Sequence, residues 1–143
     1  MVSRWLLIVA ALCLAPGCNS KKQPDLKAEI VADTQKHLEK TPALVNRLRK
    51  LTELTPAAEV ANSLRLFAHD VQRWRRDYMS LRAKMMVRSV SRDQQSEISR
   101  QYEAAVEELR LRVAQTERRL TKRSDTQFFY VDIQRVRDTM RDL

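Results

Sequence analysis

The chain contains a single glycine, Gly17, so every turn after it is made without one. Two-residue hairpin turns need positive φ, which Gly supplies and Asn or Asp tolerate. No Asn-Gly or Asp-Gly pair is present, and no segment alternates apolar with polar residues as a half-buried strand does. Both observations argue against a β-rich fold and for helices joined by Ser, Thr and Pro. The same scarcity removes whole classes of chemistry. Phosphate loops and dinucleotide turns need Gly for close backbone approach, and the strained elbow of a hydrolase nucleophile needs it too. None of these motifs occurs here.

Residues 1–17 have the three-part plan of an export signal. Arg4 gives a positive start, Trp5 to Leu14 is an apolar run, and Ala15-Pro16-Gly17 supplies small residues before Cys18. Lys21 and Lys22 end the apolar stretch well short of the roughly 20 residues a membrane-spanning helix requires. Residues 19–24 are polar and read as a tether, which leaves residues 25–143 as one domain.

The stretch Leu14-Ala15-Pro16-Gly17-Cys18 resembles the lipobox of bacterial lipoproteins. The resemblance covers residues 1–18 only. Gly17 fits the position before the cysteine, whereas Ala15 stands where that family favours Leu, and Pro16 where it favours Ala or Ser. It implies that Cys18 becomes the first mature residue, carries acyl chains such as palmitate, and anchors the protein to a membrane of the cell envelope on the periplasmic side. Asn19 in place of the Asp that marks inner-membrane retention in enteric bacteria leans the expectation toward the outer membrane. Cysteine usage fits the same reading. Cys13 would be lost on processing, leaving Cys18 with no disulfide partner. The other reading of these residues is a soluble secreted protein.

Beyond the tether, apolar residues recur with a 3.5-residue period. Val60, Leu64, Phe67, Val71, Trp74, Tyr78, Leu81 and Met85 step by four and three without a miss, which is the seam of helices packed at a shallow angle. A second seam runs Tyr102, Val106, Leu109, Val113, Thr116, Leu120, and a third Phe129, Ile133, Val136, Met140, Leu143. Leu44, Leu48 and Leu51 form a shorter one, with Leu26, Ile30 and Leu38 less regular upstream. Thr41-Pro42 and Thr55-Pro56 each suit an N-cap followed by Pro at the first helical position. Ser91-x-x-Gln94 and Ser124-x-x-Gln127 match the capping box. Helices are therefore predicted near 25–40, 42–54, 56–90, 93–122 and 125–142, the first two allowing a single helix kinked at Pro42. The expected fold is an all-α antiparallel helical bundle, a coiled-coil-like hairpin of three to five helices. The seam keeps its phase across Ser91, so one continuous helix of about 100 Å at 1.5 Å per residue stands beside the hairpin as the alternative.

No residues suggest catalysis. His37 falls near the weak seam of the first helix and pairs at most with Asp33 on one face, while His69 falls opposite the Leu64–Phe67 stripe and should meet water. Neither belongs to a helical metal motif, so no metal or cofactor is expected. The 27 basic against 18 acidic residues give a net charge of +9, a surface attractive to nucleic acid, acidic polymers or anionic lipid without selecting among them. Arg75 and Arg76 are expected level with Glu107 and Glu108, as surface ion pairs. Folding at the predicted turns brings Arg47, Arg49, Lys50, Arg65, Arg118, Arg119, Lys122 and Arg123 to one end, the end far from the tether, as a candidate anion-binding cluster. Phe128 and Tyr130 flank the third seam and suit capping of the bundle or contact with a partner. The reading as a whole is a non-enzymatic envelope lipoprotein acting as a structural or adaptor module toward a protein partner. The alternative is a polyanion-binding protein using that basic end.

Overall fold

The computed structural model describes residues 25–143, so the readings that concern the signal, Cys18 and the tether lie outside the described residues. Five α-helices follow one another: α1 (Leu26–Leu38), α2 (Thr41–Arg49), α3 (Ala57–Val87), α4 (Arg92–Leu120) and α5 (Tyr130–Arg141), with a short 3₁₀ turn at Thr126–Phe128 before the last. This is the all-α bundle the seams required. None of these helices is long and apolar enough to cross a membrane.

α3 and α4 are separate helices folded back on each other, and the turn between them has a defined structure. Ser89 sits at φ 52°, the left-handed conformation that commonly ends a helix and usually belongs to Gly. The Val90 N–H donates to the Met85 carbonyl and the Ser89 N–H to that of Met86. These are the two bonds of a Schellman cap, and buried Val90 and Met85 supply its apolar contact. Ser91 then caps α4, accepting from the Gln94 N–H at 3.3 Å and donating to the Gln94 side chain at 3.0 Å. A glycine-free turn thus breaks what the heptad frame allowed as one rod.

The two long helices form the spine, and the shorter ones fill its two grooves. α1 and α2, separated only by Glu39 and Lys40, run along one groove against both α3 and α4. Pro42 has no N–H to offer the Leu38 carbonyl, and the Thr41 hydroxyl donates to it instead at 2.7 Å. Thr41 is therefore a buried residue of the first turn of α2 rather than its N-cap, which is Lys40. α5 occupies the other groove beside the first half of α3 and the last of α4. Arg65 meets Asp132 and Gln72 meets Thr139, a constant offset that makes α5 parallel to α3. The core joins Val45, Leu48, Val60, Leu64, Phe67, Val71, Leu109, Val113, Phe129 and Ile133, among others, into one cluster.

Two boundaries and two inward faces differ from expectation. α2 ends at Arg49, not 54, because Leu51 folds back into the core and Thr52 and Thr55 bond to each other. Leu54 is left 93% exposed. The last helix begins at Tyr130 rather than 125, and Ser124 caps nothing. Fully buried Phe129 pins the chain there, while the Thr126 hydroxyl donates back to the Leu120 and Arg123 carbonyls. On α1 the inward face is Ile30, Thr34, His37 and Leu38, so two polar residues join the core and Leu26 turns outward. In α4 the inward residue before Tyr102 is Ile98, in place of Gln95 and Ser99 of the heptad frame.

Candidate anion-binding site

The basic residues at the end of the bundle far from α1's start divide into two groups. Arg47, Arg65 and Arg123 are each matched with a carboxylate: Arg47 with Asp70 at 2.9 Å, Arg65 with Asp132 at 3.2 Å, and Arg123 with Asp125 at 2.6 Å. Arg123 is further fixed by donating to the Thr52 carbonyl at 3.1 Å and by lying over the Phe129 ring at 5.3 Å. It holds two loops together, and its bidentate bond to Asp125 draws that carboxyl below the usual range. Arg65 faces α5, on the opposite side of the spine from α2. These three are structural cations.

Arg49, Arg118 and Arg119 are brought together, and the structure adds Arg112 and Gln115 to them. These five residues line an open cleft of about 590 Å³ between the end of α2 and the last turns of α4. Arg112, Gln115 and Arg119 recur at steps of three and four along α4, which puts them on one face spanning roughly 10 Å. Arg49 comes from the last turn of α2, where the helix dipole favours cations. Among the described residues, none of the four arginines makes an ion pair with a carboxylate. Glu117, the acid nearest in sequence, is engaged by Arg137 of α5. Arg112 donates to Gln115 at 3.1 Å, while its buried Nε has no acceptor in the protein. Lys50 and Lys122 lie exposed nearby in the chain, outside the cleft lining.

The cleft lacks the parts of a catalytic site. It contains cations and one amide, with no nucleophile and no general base. Among the described residues no cluster of three or more His, Cys, Asp or Glu stands ready for a metal. What four guanidiniums around one open cleft can do is hold an anion, with bidentate geometry suited to carboxylate, sulfate or phosphate oxygens.

The two histidines separate as structural and solvent-facing. His37 is buried, and its Nε2–H donates to the Trp74 carbonyl at 2.8 Å. Its ring starts a stack that continues through Trp74 and Tyr102 to Tyr78, the last two rings 3.8 Å apart. Asp33 stays exposed with no ion pair to His37. His69 is exposed and rests beside Asp70. The stack also sets the register of α3 against α4 and overturns the expected pairing of Arg75 and Arg76 with Glu107 and Glu108. With Tyr78 against Tyr102, Arg75 falls near Tyr102, and neither Arg75 nor Arg76 pairs with a carboxylate among the described residues. Glu108 faces the α1 groove on the other side. Burial raises the Tyr102 phenol above its ordinary range, and Arg75 opposes the rise. Phe128 and Tyr130 are exposed and cap nothing. Comparison with protein-family models, curated proteins and solved structures finds no match to this chain.

Proposed function

We propose that this protein is a non-enzymatic module of the bacterial cell envelope, tethered through a lipidated Cys18, that holds an acidic polymer in the cleft between α2 and α4. The observation that carries the binding half is the set of Arg49, Arg112, Arg118 and Arg119 around one open cleft with no carboxylate of their own. Four unneutralised cations repel one another at a cost in stability that a bound anion offsets. The lipobox-like Leu14–Cys18 supports the anchoring half. α1 leads away from the tether, so the cleft faces outward from the membrane it is fixed to.

The test replaces Arg49, Arg112, Arg118 and Arg119 with Gln and measures retention on immobilised heparin and on DNA across a salt series. Wild-type protein should elute later and with the steeper salt dependence, since each neutralised phosphate contributes a slope of roughly −0.9 on duplex DNA. Unchanged elution and slope would remove the cleft as a binding site. The anchor is tested independently, by mass analysis of the mature N-terminus and by Cys18→Ser, which should block acylation. Recovery of wild-type protein cleaved and soluble would leave export standing and sink the lipid.

A further inference from the structure

α3 has a second stripe besides its core seam. Arg65, Gln72, Met79 and Met86 repeat every seven residues, so they lie nearly in line along the helix. The first two touch α5 along its rim, through Asp132 and Thr139, which are seven apart in turn, and both stay exposed there. α5 ends at Arg141, and the same stripe runs on with nothing of the described residues placed over it. Met79 is 47% and Met86 58% exposed. From Arg75 to Met86 this seat is roughly 17 Å long at 1.5 Å per residue, the length of about three helical turns.

On α3 itself its neighbours are basic. The surface neighbours of Met79, three and four residues away, are Arg75, Arg76, Arg82 and Ala83. Among the described residues none of these arginines pairs with a carboxylate. Arg75 and Arg110 both lie near enough to Tyr102 for their charges to act on its phenol. Asp77, the one acid of α3 in this stretch, lines the opposite groove with Lys36, His37 and Lys40. The facing stretch of α4 carries Glu97, Glu103, Glu107 and Glu108; Glu97 is paired with Arg100 and Glu108 lines the α1 groove. Methionine suits such a place, because its flexible thioether adapts to an incoming side chain.

We propose that this stripe is the docking seat for a helix of a partner protein, lying in line with α5, with apolar residues on Met79 and Met86 and carboxylates on Arg75, Arg76 and Arg82. The groove already accepts one helix in this orientation over its first half, so the geometry of the second is set. The contact is about three turns long and belongs to the small, transient class of interface. It lies on the opposite side of the spine from the Arg cleft and does not depend on it.

The test uses the full chain in lipid vesicles and two labelled synthetic 18-residue helical peptides. Both carry Leu at alternating steps of three and four, one flanked by Glu and the other by Lys. Fluorescence anisotropy should show that the Glu peptide binds and the Lys peptide does not. Met79→Glu with Met86→Glu should weaken the Glu peptide at least tenfold at unchanged helicity. Arg75→Glu with Arg76→Glu and Arg82→Glu should reverse the preference to the Lys peptide. The Gln-substituted Arg cleft should bind the Glu peptide as wild type does. Equal binding of both peptides, indifference to the Met substitutions, or loss in the cleft variant alone would each overturn the proposal. So would a wild-type dimer in sedimentation that Met79→Glu dissociates, because a second copy would then fill the seat.

Discussion

The two halves of the bundle solve the same packing problem with different materials. In the half far from the α3–α4 turn, α2, α3, α4 and α5 surround an aliphatic core of Val45, Leu48, Leu64, Leu109, Val113, Ile133 and Val136 closed by Phe129. In the half nearer that turn only α1, among the described residues, joins the α3–α4 pair. There the interior is a stack of His37, Trp74, Tyr102 and Tyr78, with buried Thr34 beside it bonded to the Ile30 carbonyl. Where three of the described helices meet instead of four, large flat side chains span the gap. They bring polar atoms with them, and the Trp74 Nε1–H is buried without a protein acceptor. A buried donor left unpaired costs roughly 1–3 kcal/mol. The near half should therefore open at a lower free energy than the far half, although the spine is continuous through both.

The largest effects should come from emptying either core. Phe129→Ala and Trp74→Ala should each destabilise by about 3–5 kcal/mol in denaturant unfolding, as large-to-small changes at buried aromatic sites. Hydrogen exchange separates them. Trp74→Ala should speed exchange in α1 and in α3 beyond Gln72 while leaving α5 protected, and Phe129→Ala should expose α5 first. Equal loss across all helices in both variants would mean that the halves unfold as one unit. His69→Ala, on the exposed face, should change stability by less than about 0.5 kcal/mol.

A middle-sized effect should come from the turn that closes the near half. Ser89 holds φ 52° with a Cβ, in a left-handed conformation that costs about 1 kcal/mol or more for residues other than Gly. Ser89→Gly should stabilise the protein by roughly 0.5–1 kcal/mol, the strain relieved less the greater freedom of Gly in the unfolded chain. A thermal shift to lower temperature would show that the serine side chain has a role the cap geometry does not reveal.

The smallest effect belongs to the loops of the far half. Arg123 holds the Asp125 carboxyl below its ordinary range. A group depressed on folding adds stability above its unfolded pKa and loses it as pH falls through the folded value. The Asp125 contribution should thus be full above about pH 4 and fade below it. Asp125→Asn should flatten the acid limb of the stability profile and loosen the 121–129 loop. A carboxyl resonance for Asp125 titrating at the ordinary position would contradict the ion pair.

What the sequence disclosed follows from how strictly each element obeys one period. α3 and α4 were legible because their apolar residues repeat by four and three over many turns, and tertiary structure left that frame nearly intact. α1 was not, because half its inward face is Thr34 and His37, and polarity hid their burial. The start of α5 was misplaced because a four-residue capping pattern competes poorly with burial of Phe129. In the cleft, Arg49, Arg118 and Arg119 were legible from the convergence of helix ends. Arg112 was missed because its face depends on helix rotation. Arg47, Arg65 and Arg123 were expected in the cluster, yet rotation or loop shape turns each to an aspartate. Charge runs announce a basic end, whereas which cations remain free is decided by side-chain partners across helices.

The direction of α1 has a mechanical consequence. Its first turn lies beside the end of α3 and its axis follows the groove between α3 and α4. Under the anchoring and polymer binding proposed above, tension between Cys18 and a polymer held at Arg49 and Arg119 would drag α1 lengthwise past its neighbours. Contacts loaded lengthwise yield together, whereas contacts peeled from one end yield one at a time. A 13-residue helix whose inner face is thinly apolar is thus placed to bear load in shear.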